Sequence, residues 1–305
     1  MSPRLAWPVA GVTALALTLA GCGSSADNQP EQPQAAGGAA KIAVVASTNV
    51  WGSVAQAVGG DQVEVKSILN DPAADPHSYQ SSATDATALK NAKLAIFNGG
   101  GYDDFFSQLV TESGQDARKI VTFEVSGKPD GTNEHVWYDL PTVKKVADKI
   151  AEELGAIAPD RKDAFTANAK AFDGQIDQLI AKAEQIGKAK PGAQVVVTEP
   201  VPEYLLETAG VRNATPEEFS KAVEEETDPP ATAIAQTTDL VKNKQVAALV
   251  NNEQTETPVT NQLDEAAKSA GIPIVQVSET LPEGVSGYVD WMTKQVDALS
   301  SALTK

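Results

Sequence analysis

The sequence predicts an α/β protein of two lobes, each with a mostly parallel sheet flanked by helices, joined by one long rigid helix. Two observations support this fold class. Short apolar runs rich in β-branched residues alternate with helical patterns in both halves of the chain, which is typical of parallel sheets covered by helices. Between the halves, residues 160–186 keep a helical spacing of apolar side chains, which corresponds to about 40 Å of uninterrupted helix.

The N-terminal residues have the pattern of an export signal. A positive charge at Arg4 precedes an Ala- and Leu-rich stretch that is too short for a comfortable membrane-spanning helix. The stretch ends in Leu19-Ala20-Gly21-Cys22, which resembles a bacterial lipobox and implies cleavage before Cys22 and lipid attachment to its sulfur. The alternative is that Cys22 is simply a small residue of an ordinary signal peptide. As the only cysteine of the chain, Cys22 cannot form an intramolecular disulfide.

The sequence divides into five predicted segments. Residues 1–21 are the predicted lipoprotein signal peptide. Residues 22–40 are rich in Ser, Gly, Pro, Gln and Ala and cannot bury enough apolar surface to fold, so they are a predicted flexible tether. The N-terminal lobe is predicted over 41–158, the linking helix over 159–190 and the C-terminal lobe over 191–305.

Each lobe is predicted from its own alternating elements. In the N-terminal lobe, strands are expected at 41–47, 63–69, 94–98 and 120–123, and helices at 51–58, 82–91, 103–112 and 141–154. In the C-terminal lobe, strands are expected at 194–198, 246–250 and 273–277, and helices at 203–209, 216–226, 231–242, 259–270 and 287–303. The acidic run Glu224-Glu225-Glu226 is interpreted as a solvated helix end.

Only two histidines occur in the chain, and each lies in a segment rich in turn-forming residues. His77 lies in Asp75-Pro76-His77-Ser78-Tyr79, and His135 lies in Glu134-His135-Val136-Trp137-Tyr138-Asp139. A lone histidine is more often a structural residue than a ligand. Neutral imidazole is nevertheless the commonest metal ligand among side chains, so two such loops suggest that His77 and His135 meet at one site.

Two glutamates follow strands of the second lobe. Glu199 comes directly after the predicted strand 194–198, and Glu279 comes two residues after the strand 273–277. Ligands of open α/β sheets bind at the carboxyl ends of strands. Two neutral imidazoles and two carboxylates carry a charge of −2, which balances a divalent cation. Either glutamate taken alone could equally be a solvated loop acid.

These motifs resemble those of the zinc and manganese solute-binding lipoproteins of ABC transporters, the cluster A-I or cluster 9 family. The likeness covers essentially the whole mature chain. The His77 motif is similar to the first metal-histidine motif of the family, and the turn 98–104 is similar to its asparagine-glycine turn. The His135 motif is similar to the second one, in which proline usually precedes the histidine. Here that position is Glu134.

The resemblance implies a set of four metal ligands. They are His77, His135, Glu199 and Glu279. Glu199 resembles manganese-type members, since zinc-type members have histidine there, and Glu279 stands where the family usually has aspartate. Glu253 and Asp139 are expected beside the ligands, and Glu253 is also the alternative fourth ligand.

The resemblance also implies a function. The protein is expected to capture one divalent transition metal in the cleft between its lobes and to deliver it to an ABC permease with its ATPase. Manganese is favoured over zinc, because carboxylate oxygens suit manganese, and iron stays open. The protein is expected to be exported, anchored through Cys22 to the outer face of the bacterial cytoplasmic membrane, and monomeric.

Other functions are less well supported by the sequence. With a net charge of −17 and no basic stripe, the chain is not expected to bind nucleic acid. The chain lacks a Gly-x-Ser-x-Gly elbow, a Walker loop and a His-Glu-x-x-His helix, and no enzymatic activity is expected. The alternatives are a surface adhesin or structural lipoprotein and a metal-dependent hydrolase.

Overall fold

Two parallel sheets of four strands each organise the residues that the computed structural model describes, 40–72 and 79–304. Every strand pair within the two sheets is parallel. Helices connect the successive strands and flank both sheets. The predicted fold class, two α/β lobes with parallel sheets, is therefore confirmed.

The first sheet has the strand order β2-β1-β3-β4. Its strands are β1 (Ile42–Thr48), β2 (Val63–Leu69), β3 (Leu94–Phe97) and β4 (Arg118–Val121). The helices of this lobe are α1 (Asn49–Gly59), α2 (Ala83–Asn91), α3 (Asp104–Ser113), α4 (Thr122–Ser126) and α5 (Leu140–Ile157). Every residue of β3 is buried, as expected for an apolar run in the interior of a parallel sheet.

The second sheet has the equivalent order, β6-β5-β7-β8. Its strands are β5 (Gln194–Val197), β6 (Arg212–Asn213), β7 (Ala248–Asn252) and β8 (Ile274–Val277). Its helices are α7 (Glu203–Thr208), α8 (Glu217–Glu224), α9 (Ala231–Lys242), α10 (Pro258–Ala270) and α11 (Tyr288–Leu303). In each sheet the second strand lies on one side of the first, and the third and fourth strands lie on its other side. A crevice opens at the carboxyl ends of the two central strands, where the strand order reverses.

The long helix α6 (Lys162–Ala189) contacts both lobes. Its 28 residues correspond to about 42 Å of helix. Its buried side chains alternate in steps of four and three residues and so form one stripe: Phe165, Ala169, Phe172, Ile176, Leu179, Ala183 and Ile186. This stripe packs against α1 and α5 of the first lobe and against α7 and α11 of the second. The helix therefore supports both lobes along one continuous apolar face.

Buried hydrogen bonds join the lobes on the side of the sheets' carboxyl ends. The Tyr138 hydroxyl donates to the carbonyl of Ser278 at 2.7 Å. The Asn49 side chain both donates to the carbonyl of Leu281 at 3.1 Å and accepts from its N–H at 2.8 Å. Because these groups are shielded from water, each broken bond would leave a buried polar group unsatisfied, which makes separation of the lobes costly.

Two strands are displaced by two residues from their prediction and a third was not predicted, whereas the other strands agree to within one residue. The edge strand β4 begins at Arg118, two residues earlier than expected, because an edge position tolerates the exposed Arg118 and Lys119. Strand β7 extends to Asn252, since its last polar residues are buried at the strand end. The two-residue strand β6 escaped prediction because it has no apolar run. Among the residues described, no helix combines the length and apolar character needed to cross a bilayer.

Candidate metal centre

His135 lies in the short segment between α4 and α5. The next three residues, Val136–Tyr138, form one turn of 3-10 helix and are all buried. Their large side chains anchor the segment in the core that the two lobes share. His135 itself exposes none of its surface. The local sequence thus places an imidazole in the interior, next to three apolar anchors.

Asn133 fixes the orientation of the His135 ring. Its Nδ2 donates to the carbonyl of Pro200 at 2.7 Å, so its Oδ1 is the acceptor that faces His135. That oxygen lies 2.9 Å from the backbone nitrogen and 2.7 Å from Nδ1 of His135. Nδ1 therefore carries the proton, and in the neutral ring the lone pair is on Nε2. Holding a histidine by its other nitrogen in this way is typical of metal-ligating histidines.

The same hydrogen bond ties the His135 segment to the chain directly after the first of the two predicted carboxylates. Pro200, which accepts the Asn133 bond, directly follows Glu199. Glu199 is 4% exposed and lies just beyond the end of β5, one of the two central strands of its sheet. Thr198 beside it accepts a hydrogen bond from the Asn252 backbone at 3.0 Å and so ties the ends of β5 and β7 together. Glu199 thus lies at the crevice of the second sheet.

Glu279 lies in the loop that follows β8 and is also 4% exposed. The Asn252 side chain donates a hydrogen bond to Oε1 of Glu279 at 2.9 Å. The backbone N–H of Glu279 donates to the side-chain oxygen of Gln254. Both partners come from the end of β7 and the turn after it. These amide contacts hold a buried carboxylate in one position, and the sequence spacing does not indicate them.

Tyr102 connects Glu279 with His135. The Tyr102 ring centroid lies 6.0 Å from that of His135 and 4.4 Å from that of Trp137. Burial raises the pKa of the Tyr102 phenol well above its ordinary value, and the nearby charge of Glu279 raises it further. The carboxylate of Glu279 therefore lies close to the aromatic group that also covers His135.

A further acid, Glu224, lies beside His135. Its Oε1 is 3.3 Å from His135 Nε2, and its side chain is only 13% exposed. Glu134, His135 and Glu224 each have a possible ligand atom within 4.8 Å of the others. The interpretation of 224–226 as a solvated helix end was therefore wrong for Glu224, although Glu225 and Glu226 are exposed. The signal that was overlooked is the amphipathic pattern of α8, whose buried Phe219 and Val223 turn Glu224 inward.

Two other predicted residues occupy different surroundings. Glu253 is exposed, whereas its neighbours Asn252 and Gln254 contact Glu279. Asp139 precedes α5, where its carboxylate accepts a hydrogen bond from Thr142 at 2.8 Å and pairs with Lys128 at 3.0 Å. The described contacts of Asp139 thus stabilise the start of a helix. His77 and Cys22 lie outside the described residues, so their roles stay predictions.

The described part of the site combines one imidazole nitrogen with several carboxylate oxygens. Such a mixed set suits divalent metals from manganese to zinc. The described residues come from both lobes: His135 and Tyr102 from the first, and Glu199, Glu224 and Glu279 from the second. Among the residues described, the possible ligand atoms of His135 and Glu224, with those of Glu134, lie within 4.8 Å of one another, and Glu199 and Glu279 are not part of that group.

The chain matches one protein family over most of its length. Residues 44–302 match the family described as zinc-uptake complex component A, periplasmic. The manganese-binding lipoprotein MntA of Halalkalibacterium halodurans is 24% identical over 313 residues, which cover 96% of this chain and 97% of the relative. The iron ABC transporter substrate-binding lipoprotein MtsA of Streptococcus pyogenes serotype M1 is 23% identical over 288 residues, 87% of this chain and 90% of the relative.

A solved structure supports the same fold. The periplasmic zinc-binding protein TroA from Treponema pallidum aligns with a TM-score of 0.71 and 20% identity, covering 87% of this chain and 100% of that one. At this identity the likeness concerns the fold alone. The family match is independent of it and spans both lobes and the linking helix. The chain therefore belongs to this family of metal-binding solute-binding proteins of ABC transporters, as the resemblance predicted.

Proposed function

We propose that this protein is an extracytoplasmic receptor that captures one divalent transition-metal ion between its lobes and delivers it to the permease and ATPase of an ABC transporter. The observation that carries the proposal is the fully buried His135, whose Nδ1 is held by Asn133 so that Nε2 is the ring atom that faces the carboxylate of Glu224 and would bind an ion. Two nearly buried carboxylates of the opposite lobe, Glu199 and Glu279, support it.

The proposed ligands are His77, His135, Glu199 and Glu279. A carboxylate taken out of water costs free energy unless hydrogen bonds or an opposite charge compensate it. Two acids are nearly buried here at the carboxyl ends of one sheet, and a divalent cation would supply the compensating charge. Asn252 and Gln254 would hold Glu279 in place as a ligand.

Manganese is the proposed cargo, with zinc as the nearest competitor and iron as a third candidate. Carboxylates can each supply one or two oxygens, which suits manganese with its preference for oxygen ligands and higher coordination. Zinc usually takes four ligands and would require each carboxylate to bind through one oxygen. The relatives named above are described as proteins for manganese, iron and zinc, so family membership leaves all three metals open.

The role is proposed to be non-catalytic. Catalytic metal sites keep one coordination position open for water or substrate, whereas a set of four protein ligands encloses the ion itself. The adhesin and hydrolase alternatives have no comparable support among the contacts described. The protein would act as a monomer, exported and lipid-anchored through Cys22, so that the receptor stays close to its permease.

Metal titration of the purified protein tests this function. Calorimetry with manganese chloride and zinc chloride should give one bound ion per chain, and His77→Ala and His135→Ala should each weaken binding severely. Asn261→Ala, a change at an exposed position of α10, is the control for substitution as such. A wild-type protein that binds neither metal would refute the receptor function, and unchanged affinity in one histidine variant would remove that residue from the site.

A further inference from the structure

We propose that Glu224 is a fifth protein ligand of the metal ion and that it determines the preference among divalent metals. This inference rests on the proposed function, because it concerns the same site. The contact that carries it is the 3.3 Å separation between Glu224 Oε1 and His135 Nε2. Since Asn133 occupies Nδ1, Nε2 is the only ring atom of His135 that can bind an ion. Glu224 thus lies beside the one coordinating atom of this ligand.

The separation of the two atoms fits coordination to a common ion. Nitrogen and oxygen ligands bind such ions at about 2.0–2.2 Å, so two neighbouring ligand atoms lie about 3.0–3.5 Å apart for angles between octahedral and tetrahedral. The observed 3.3 Å falls within this interval. An ion that binds His135 through Nε2 would therefore come within bonding distance of Glu224 without a large shift of either side chain.

Helix α8 holds Glu224 at this position. Phe219 and Val223, four residues apart, are buried in the apolar cluster between the second sheet and its helices. Ser220 lies four residues before Glu224 and is also buried, so the two residues share the inward side of the helix. Glu225, one position later, is 58% exposed. The helix therefore separates an inward acid from an outward one, which provides a matched pair for mutation.

The position of Glu224 is unfavourable for the helix itself. It is the last residue of α8, where the exposed carbonyl groups carry a partial negative charge that repels a carboxylate. A glutamine of the same shape would remove this repulsion. A partly buried acid at the end of a helix and beside a histidine nitrogen is suited to binding a cation. Glu224→Gln should therefore keep or raise the thermal stability of the metal-free protein.

A fifth ligand changes which ion the site prefers. With Glu199, Glu224 and Glu279 the protein would contribute three carboxylates, which adds an oxygen and a negative charge to the four-ligand set. Manganese accommodates additional oxygen ligands, whereas zinc favours four-coordinate sites. Glu224 thus favours manganese relative to zinc. Its removal should lower the ratio of manganese affinity to zinc affinity.

The test compares Glu224→Gln, Glu224→Ala and the control Glu225→Gln. Manganese affinity should fall by about tenfold or more in both Glu224 variants, a loss typical of removing a group in contact with a metal-bound residue, while zinc affinity changes less. Glu225→Gln should match the wild type for both metals. Unfolding of the metal-free variants is measured in parallel, so that a folding defect is recognised directly.

Cobalt(II) as a probe distinguishes a ligand from a merely neighbouring group. Four-coordinate cobalt absorbs visible light more strongly than five- or six-coordinate cobalt, so absorption should increase in Glu224→Ala if a ligand is lost. Unchanged manganese affinity, or reduced affinity with an unchanged cobalt spectrum, would overturn the inference while the receptor function stands. If the wild type itself binds no metal, the proposed function fails, and this inference with it.

Discussion

The side-chain oxygen of Asn133 accepts a hydrogen bond from Nδ1 of His135 at 2.7 Å, while its amide nitrogen donates to the carbonyl of Pro200 in the other lobe at 2.7 Å. The amide group of Asn133 therefore sets the tautomer of the buried His135. The same group links the His135 segment to Pro200, the residue after Glu199. The Tyr204 hydroxyl, also from the second lobe, donates to the Asn133 carbonyl at 2.6 Å and fixes the same segment. The orientation of His135 thus depends on contacts from both lobes.

Asn133→Ala should weaken metal binding without unfolding the protein. Loss of the acceptor lets the His135 ring rotate or change tautomer, and groups that orient a metal-bound histidine typically contribute about 10–100-fold in affinity. Calorimetric titration with manganese measures the effect, and the exposed Asn261→Ala is the control. An Asn133→Ala protein with wild-type affinity would show that the His135 orientation does not limit binding.

The hydrogen bond from Tyr138 to Ser278 should contribute to stability as a link between the lobes. Both residues are buried, and the donor and acceptor are 2.7 Å apart. Tyr138→Phe leaves the Ser278 carbonyl without this donor, at a cost of about 1–3 kcal/mol. Chemical denaturation of the metal-free protein checks it. A single cooperative transition at lower denaturant is expected, whereas an unchanged midpoint would mean that water replaces the hydroxyl.

The ion pairs of Glu153 should make stability depend on pH. Burial alone would raise the pKa of Glu153, but hydrogen bonds from Arg118 and Lys149 outweigh it and lower the pKa below the ordinary value of 4.5. The ionised form is thus favoured by folding, so its stabilisation is present above pH 4.5 and is lost as the pH falls through the lower, folded-state pKa.

Glu153→Gln should therefore destabilise the protein at pH 7 and have little effect at strongly acidic pH. The loss should be on the order of 1 kcal/mol or less, because the two cationic partners are largely solvated. Glu152→Gln is the control, since Glu152 pairs with the same lysine but is 68% exposed. Equal destabilisation by Glu153→Gln at both pH values would mean that packing, not charge, explains the effect.

The fold followed from the sequence wherever apolar periodicity was strong. The stripe on α6 and the buried run of β3 were visible as patterns, and both occur as predicted. The prediction failed where strand pairing or buried polar residues, and not apolar periodicity, determine the structure. The short strand β6 depends on pairing with β5, which no local pattern reports. Strand β7 ends in Asn251 and Asn252, polar residues that a search for apolar runs assigns to a loop.

The candidate site was only partly visible in the sequence. Glu199 and Glu279 were predicted as ligands because both follow strands, and strand ends converge in a parallel sheet; both carboxylates are nearly buried, and their role as ligands stays a prediction. Glu224 was missed because its place depends on how α8 packs against the rest of the second lobe. The hydrogen bonds of Asn133 to His135 and of Asn252 to Glu279 were not predicted, because sequence spacing does not encode such tertiary contacts.

If Cys22 carries the predicted lipid anchor, its mutation should change the location of the protein. Cys22→Ala removes the sulfur that would carry the lipid, so the protein should be released into the soluble fraction or remain unprocessed. Membrane fractionation with fatty-acid labelling measures this, and Ser24→Ala in the predicted tether is the control. A wild-type mature protein that begins downstream of Cys22 and carries no lipid would contradict the anchor.

The identity of the ion should depend on Glu199. Glu199→His replaces a carboxylate by an imidazole, which lowers the number of oxygen ligands and gives a nitrogen-rich set that suits zinc. At any site of nitrogen and oxygen ligands, zinc already binds more tightly than manganese in the divalent-metal order. Absolute zinc affinity is therefore a poor measure, and the ratio of the two affinities is the quantity to follow.

That ratio can be measured by loading the metal-free protein with equal manganese and zinc and determining the bound metals by mass spectrometry. The wild type should retain a measurable share of manganese, and Glu199→His should lose most of it. Glu203→His is the control, because Glu203 lies on α7 and hydrogen-bonds Asn213. Uptake by a deletion strain that expresses each variant links the ratio to transport. If Glu199→His leaves the metal ratio unchanged, Glu199 is not a ligand. If manganese uptake of the strain is unaffected by the deletion while zinc uptake collapses, zinc is the cargo and Glu199 has another role in the same site.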